Sequence, residues 1–358
     1  MDINAETLRK AGVGIKLAAD AGLLSDNTPS VEKDTGYIER QKMRDISRQI
    51  NTVYRSESRS ELLRETIEDA VKNLPAFKID SRVPVHKTND DTSRSLVVAL
   101  GDFHYGADIH VEGLYGETIN EFNHKVFEER MLKLLDEIVV ICDKEHLDKV
   151  NLLIVGDLID GILRQSQLMR LEYGIVESTM RLSEFLASWI NAISVFAEVD
   201  VYSAMGNHSE IRPLRSKNRE FEDENLEKII LWYLDARLRN NELVHIDAKC
   251  RRYTLAGIEG YNFLLLHGDG EKNIDQIAKE AINMYNEPID FFVCGHKHKE
   301  QEYPIGMTDS GNSIVIRVPS ICGVDRYAQS RGYGGKPGAI AMVIEKDYGR
   351  RCVYPIQL

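Results

Sequence analysis

Five times between residues 95 and 300, a short apolar run stops at or just before a side chain able to bind a metal ion. Leu96–Leu100 (LVVAL) stops at Gly101-Asp102, and Val150–Val155 (VNLLIV) at Gly156-Asp157. Val199–Ser203 is followed shortly by Gly206-Asn207-His208. Tyr261–Leu266 ends at His267, and Phe291–Cys294 at Gly295-His296. Runs this short and this rich in Val, Leu and Ile predict buried strands. Between them the spacing is helical: Val126–Cys142, about Leu168 to Phe196, Glu222–Leu238 and Asp275–Tyr285. Two further β regions, Ser313–Val318 and Ile340–Glu345, close the chain. Strands alternating with helices predict an α/β layered domain, and ligands in such sheets bind outside the carboxyl ends of the strands. One strand end carrying an acid would constrain little. Five carrying Asp, Asp, Asn, His and His predict one shared site.

The five segments read Asp102-Phe103-His104, Gly156-Asp157-Leu158-Ile159-Asp160, Gly206-Asn207-His208, His267-Gly268-Asp269 and Gly295-His296-Lys297-His298. Hydrolysis of a phosphate ester needs a nucleophile at neutral pH and neutralisation of charge on the phosphoryl oxygens, and two metals about 3.5–4 Å apart supply both. An extended DxH segment is expected to put Asp102 and His104 on one side, because side chains alternate with period two, and likewise His296 and His298. His110 repeats the DxH spacing without a strand and glycine before it and is expected in a loop; His86, His124, His146 and His245 lie outside the motifs.

In this order, the set resembles the calcineurin-like metallophosphoesterases, whose pattern is DxH, GDxxD, GNH, H and GHxH. The resemblance implies a four-layer α/β/β/α sandwich and two divalent ions, with Mn expected and Fe or Zn compatible with the mixed His, Asp and Asn donors. It also implies roles. Asp102, His104 and His298 would hold one metal; Asn207, His267 and His296 would hold the other; Asp157 would bridge them. A metal-bridging hydroxide would attack. His208 would protonate the leaving oxygen or bind the phosphate, oriented by Asp160. The protein-phosphatase branch has an arginine after the second Asp of GDxxD and a Glu directly after its GNH. Here Gly161 and Ser209 stand there. The start Asp102-Phe103-His104-Tyr105-Gly106 is similar to the DNA-repair exonuclease branch.

Substrate contacts are sought near the motifs. Arg212, Arg215, Lys217 and Arg219 follow His208 closely and suit flanking phosphates; a solvated loop reads equally well. The segment 325–336 interleaves Arg326 and Arg331 with Tyr327 and Tyr333 among glycines, which suits stacking on unpaired bases or an ordinary connection. In the N-terminal region Arg40, Arg44, Arg48 and Arg55 form a stripe roughly 80° wide on an amphipathic helix, fit for nucleic acid, a partner or water.

The polar, Pro-containing stretch before residue 95 reads as a linker. The expected organisation is a helical accessory region at 1–80, a linker at 81–94 and the catalytic domain at 95–358. A net charge of -12 counts mildly against a nucleic-acid binder, although a local basic patch suffices to hold a phosphate backbone. Five scattered cysteines without a CxxC predict neither a disulfide framework nor a zinc ribbon and point to a reduced, cytoplasmic setting. The N-terminus lacks the pattern of a secretory signal, and no apolar run reaches the ~18 residues of a membrane span. The functional expectation is a two-metal phosphodiester hydrolase acting as a nuclease on DNA. The alternatives are an esterase of small molecules or phosphoproteins, and an inactive binding scaffold. A homodimer is left open.

Overall fold

The structure is a computed structural model. It describes residues 93–358 except 162–166, 168–169, 213–219, 222, 270–275, 278–279, 281–286 and 333, with residues 71, 73 and 74 besides. The accessory region expected at 1–80 falls outside it but for residues 71, 73 and 74, and of the linker expected at 81–94 only Ser93 and Arg94 are described, Arg94 as the first residue of a strand.

The strands expected from the apolar runs are present as β1 (Arg94–Leu100), β4 (Lys149–Ile154), β5 (Glu198–Ser203), β8 (Tyr261–Leu266), β9 (Phe291–Cys294), β11 (Gly311–Arg317) and β12 (Gly338–Glu345). Six more were not foreseen: β2 (Ile109–Glu112), β3 (Thr118–Phe122), β6 (Val244–Ile246), β7 (Tyr253–Ile258), β10 (Gln301–Thr308) and β13 (Gly349–Gln357). His110 therefore lies in a strand rather than a loop. A six-stranded sheet runs β13-β12-β1-β4-β5-β6, and a five-stranded sheet β10-β11-β9-β8-β7. The strands that carry the site are parallel within each sheet: β1, β4 and β5 in one, β8 and β9 in the other. The two sets of carboxyl ends meet at one edge of the sandwich, where Asp157 after β4 comes within 3.0 Å of His267 after β8.

The apolar runs lack alternation because both faces of each central strand are covered. In β1, Val97 and Ala99 pack with Leu153 and Val155 against Phe263, Leu265, Phe291 and Val293 of the second sheet. Leu96, Val98 and Leu100 face the other way, onto α1 (His124–Glu145), α2 (Ile175–Ile193) and α3 (Glu227–Leu238). Phe127, Met131, Leu134 and Ile138 of α1 are fully buried there, each stabilising by roughly 1.5–3 kcal/mol relative to exposure. Asn123 starts α1 by accepting from Lys125 N and Val126 N, and His146 ends it in the left-handed conformation. Helix α2 begins later than its periodicity suggests, because Gly174 at its N-cap is extended. On the outer face of the second sheet, Leu264, Leu266 and Phe292 pack with Ile277, and the described residues 276, 277 and 280 are helical. The layers follow the order helix, sheet, sheet, helix.

Candidate metal centre

The loops after the five strands are knitted together by their backbones. Asp102 N donates to Gly156 O (3.0 Å), His104 N to Asp157 O (2.9 Å), Tyr105 N to Leu158 O (3.1 Å) and Gly295 N to His267 O (3.0 Å). Asp102, His104, Asp157, His296 and His298 all have φ between 46° and 69°. This corrects the expectation that strand alternation aims the DxH and HxH pairs. Left-handed turns aim them instead, at a cost on the order of 1–2 kcal/mol per residue.

The seven side chains converge in two groups that share one atom. His267 Nε2 lies 3.0 Å from Asp157 Oδ2, 3.1 Å from Asn207 Oδ1 and 3.2 Å from His296 Nδ1. On the other side, His104 Nε2 lies 3.2 Å from His298 Nε2, 3.8 Å from the same Asp157 Oδ2 and 3.9 Å from Asp102 Oδ1. Asp102 Oδ1 is 3.5 Å from His298 Nε2. A cation about 2.0–2.2 Å from each N or O donor leaves neighbouring donors roughly 3.0–3.4 Å apart, so these residues fit a bound metal on each side of Asp157. Two of the remaining ring nitrogens face backbone carbonyls. His267 Nδ1 faces Val155 O at 2.8 Å and His298 Nδ1 faces Gly323 O at 3.0 Å. As N–H donors there, both rings present their other nitrogen to the cluster, where a metal would displace any proton on it.

Charges in the cluster compensate one another. Burial opposes ionisation of Asp102 and Asp157, yet neighbouring histidines, His298 for the first and His267 for the second, hold both carboxyls below their usual range. Burial likewise disfavours a charged His267, but Asp157 outweighs it and lifts the imidazole to about 10. Burial, with the adjacent His267, pushes His296 down to about 4.

His208 stands beside the cluster. Its backbone N donates to Asp157 Oδ1 (2.8 Å), and its Nδ1 meets Asp160 Oδ1 at 2.7 Å. Asp157 and Asp160 raise its pKa against the effect of burial. The His104 ring packs edge-on against it, with centroids 4.4 Å apart. Gly161 has a steric reason to be glycine, since an added Cβ would overlap the His208 carbonyl. An arginine here would displace the very residue that Asp160 holds.

The expected substrate contacts are less uniform. Arg212 pairs its Nε and Nη2 with the buried Glu210 at 2.8 Å, so its guanidinium is engaged by a carboxylate of the cleft wall. Arg215 lies outside the described residues. Arg326 and Arg331 belong to a short helix, α4 (Arg326–Arg331), capped by Asp325; their side chains are likewise outside them. His110 is near Glu112, away from the cluster. Beside the site, Met205, Gly206, Asn207, Glu210, Asn225, Arg252 and Asp269 line a small polar pocket. Two buried groups near the cluster were not foreseen. Cys322 Sγ lies 3.8 Å from His298 Nδ1, and no spacing signals it. Glu227 does have a signal: its i+3, i+4 and i+7 neighbours Ile230, Leu231 and Leu234 form the buried face of α3.

The model of the calcineurin-like phosphoesterase family matches residues 95–300, the stretch that contains all five strand ends. A relative 27% identical over 318 residues, covering 88% of this chain and 76% of its own length, is the SPbeta prophage-derived uncharacterized protein YonJ of Bacillus subtilis (strain 168). Solved structures similar to the chain include Vps29 complexed with zinc from Entamoeba histolytica, at 11% identity and TM-score 0.33, covering 73% of this chain and 98% of that one. A novel archaeal phosphodiesterase matches at 12% and 0.36, covering 74% and 99%. The 5'-nucleotidase precursor of Thermus thermophilus matches at 11% and 0.36, covering 74% and 54%. With the family model spanning more than half of the chain, the protein belongs to the calcineurin-like phosphoesterases, metal-dependent hydrolases of phosphoesters.

Proposed function

We propose that the chain is a two-metal phosphodiesterase that acts as a nuclease on DNA. The observation that carries it is Asp157 Oδ2, which belongs to both donor groups at once and has His208 beside it. The family uses a dinuclear divalent metal centre. In this reading Asp102, His104 and His298 hold one ion, Asn207, His267 and His296 the other, and Asp157 both. Mn is the proposed metal, with Fe and Zn as alternatives on the same donors. When bound, the ions supply an activated nucleophile and neutralise charge on the phosphoryl group. His208 protonates the departing oxygen, and Asp160 keeps its ring turned by accepting from Nδ1, which leaves Nε2 to deliver the proton. A nucleotide alkoxide is a poor leaving group, so such an acid matters more for a diester than for an activated ester.

Preference for a polynucleotide rests on the DxHxG start, on Gly161 in place of the phosphatase arginine, and on the basic segment that includes Arg215, Lys217 and Arg219. Origin of the relative in a prophage is compatible with DNA as substrate. Arg326 and Arg331 are proposed further contacts, whereas Arg212 serves the cleft wall through Glu210. A specific observation favours a second reading. The pocket beside Asn207 is small and includes Asn225 and Arg252, which suits a compact polar phosphoester better than a long strand.

The experiment is hydrolysis by the Mn-loaded protein of single-stranded DNA, duplex DNA, bis-p-nitrophenyl phosphate and p-nitrophenyl phosphate. The nuclease reading expects cleavage of DNA and of the bis-ester. Activity on the small esters alone would transfer the assignment to the second reading. No activity with two metals bound would leave the scaffold alternative.

A further inference from the structure

Glu227, the first residue of α3, is fully buried, and the chemistry above does not use it. Its Oε1 accepts from Leu158 N (2.9 Å) and from Ser209 Oγ (2.8 Å), and its Oε2 accepts from Gly206 N (2.9 Å). Each donor is next in sequence to a site residue: Leu158 follows Asp157, Gly206 precedes Asn207, and Ser209 follows His208. Asn225 reinforces the link. Its Nδ2 donates to Gly206 O and its Oδ1 accepts from Glu227 N, both at 2.9 Å. Leu226 N adds a bond to Ser209 O at 3.0 Å.

The loops after β4 and β5 pack too closely to hold a side chain between them, since a Cβ added at Gly206 would overlap the backbone of Asp157. Their mutual registry is set by the bonds that cross through Glu227 together with the direct bond from His208 N to Asp157 Oδ1. A carboxylate suits three converging donors because it only accepts. Burial and the nearby Asp157 push its pKa up, while Leu158, Gly206 and Ser209 hold it down.

We propose that Glu227 is a positioning residue whose buried carboxylate holds the loop of Asp157 in register with the loop of Asn207 and His208, and so sets the affinity of the metal held by Asn207, His267 and His296. This rests on the two-metal reading. That ion takes two ligands, Asp157 and Asn207, from the clamped loops. The other ion takes only Asp157 from them, and its remaining ligands come from the loops after β1 and β9.

Glu227→Gln tests it. The amide keeps the size, but its NH2 must face either Gly206 N or the pair Leu158 N and Ser209 Oγ, so a donor meets a donor. Mn titrated calorimetrically into the metal-free full-length chain should show two binding events in the wild type. In the variant one should weaken by about 10–100-fold, the usual cost of losing a partner behind the ligands, with the other within threefold. The metal-free variant should still unfold cooperatively, and its thermal stabilisation by saturating Mn should shrink. Unchanged affinity at both sites overturns the proposal. So does equal weakening at both, which a general structural defect would give. If Glu227→Gln does not fold, Ser209→Ala carries the test, with roughly fivefold weakening at one site expected for one lost hydrogen bond; wild-type affinity at both sites overturns the proposal. A wild type that binds two Mn ions but hydrolyses no ester would refute the proposed activity and leave this titration readable. A wild type binding fewer than two would overturn both.

Discussion

Replacing Gly161 by alanine is expected to remove most turnover while leaving two metals bound. The added Cβ would overlap the His208 carbonyl oxygen and lie 2.7 Å from its carbonyl carbon. Ordinary contact between carbons begins near 3.5 Å, so for the carbon alone the two loops must part by about 0.8 Å, and by more for the oxygen. The bond between His208 Nδ1 and Asp160 Oδ1 is 2.7 Å long. It ceases to be a hydrogen bond beyond roughly 3.5 Å, which again allows about 0.8 Å. The smallest displacement that relieves the clash therefore uses up the whole tolerance of the dyad. Misplacement on the order of 1 Å can cost 10²-fold, and kcat should fall by about that factor. The assay is hydrolysis at saturating Mn of a dinucleotide, an unactivated diester whose departing alkoxide needs the acid, with metal content measured on the same sample. A kcat within threefold of wild type, with two metals bound, would refute the steric argument. Loss of metal would place the damage in the ligand loops instead.

Other outcomes follow from the same geometry. Asp157→Asn should lower occupancy at both sites, because one oxygen serves both groups; full occupancy by elemental analysis would remove Asp157 from the bridge. His208→Ala should keep both metals and lose turnover by about 10²–10⁴-fold, the range for a positioned acid or base, with Asp160→Asn milder. A near-normal rate in His208→Ala would end its assignment. In the metal-free protein His267 is raised to about 10 from an ordinary 6.5. The stability it confers is complete below 6.5 and is lost as pH rises toward 10, so urea midpoints of the metal-free protein should fall across that window. Metal binding at pH 8 should release a proton there, read from calorimetry in two buffers of different ionisation enthalpy, and a buffer-independent heat would contradict it. Arg215→Ala should weaken DNA binding and flatten its salt dependence while sparing the bis-ester; equal loss on both substrates would move Arg215 from flanking contact to chemistry.

The sequence made the strands and the site legible for one physical reason. A strand buried on both faces must be apolar throughout, so Leu96–Leu100 and Phe291–Cys294 stand out from their surroundings, and the polar side chains that end them stand out further. Strands with one exposed face or mixed composition were not legible. In β7, Leu255 and Gly257 are exposed between buried Thr254, Ala256 and Ile258; β10 is an edge strand with no buried residue. Nor was the mechanism of convergence legible. The DxH spacing suggested alternation, but His104 at φ 46° and His298 at φ 49° reach the cluster by turning, and backbone dihedrals leave little trace when the residue is not glycine. Glu227 was hidden by its neighbours, since a run of acids from Glu220 reads as a solvated helix start until the apolar residues at i+3, i+4 and i+7 are counted. Nor was the pairing of Arg212 with Glu210 legible. Proximity to His208 in sequence suggested a cation facing substrate, and spacing alone did not show that Glu210, two residues away, is its partner.

The cluster does not make sense as a self-satisfied network of buried ion pairs. Such a network works when each donor meets an acceptor and the backbone is relaxed. Here His104 and His298 bring ring nitrogens to 3.2 Å of each other, although His298 already spends its Nδ1 on Gly323 O. His267 and His296 repeat the approach at 3.2 Å. One shared proton can bridge each pair, but the geometry around it, with Asn207 Oδ1 and Asp157 Oδ2 at similar distance from His267, is that of donors arranged about a common centre. Backbone strain points the same way. Eight non-glycine residues among those described have positive φ, and five are in this cluster. At on the order of 1–2 kcal/mol each, that strain approaches the net stability of an ordinary domain. It persists because β1 and β4 are clamped between the helical layer and the second sheet, β9 is clamped between the two sheets' shared core and the outer layer, and their carboxyl ends have nowhere else to go. The sandwich thus holds lone pairs together that would separate if the loops were free, a preorganisation that a divalent cation can use and a plain hydrogen-bond network does not need.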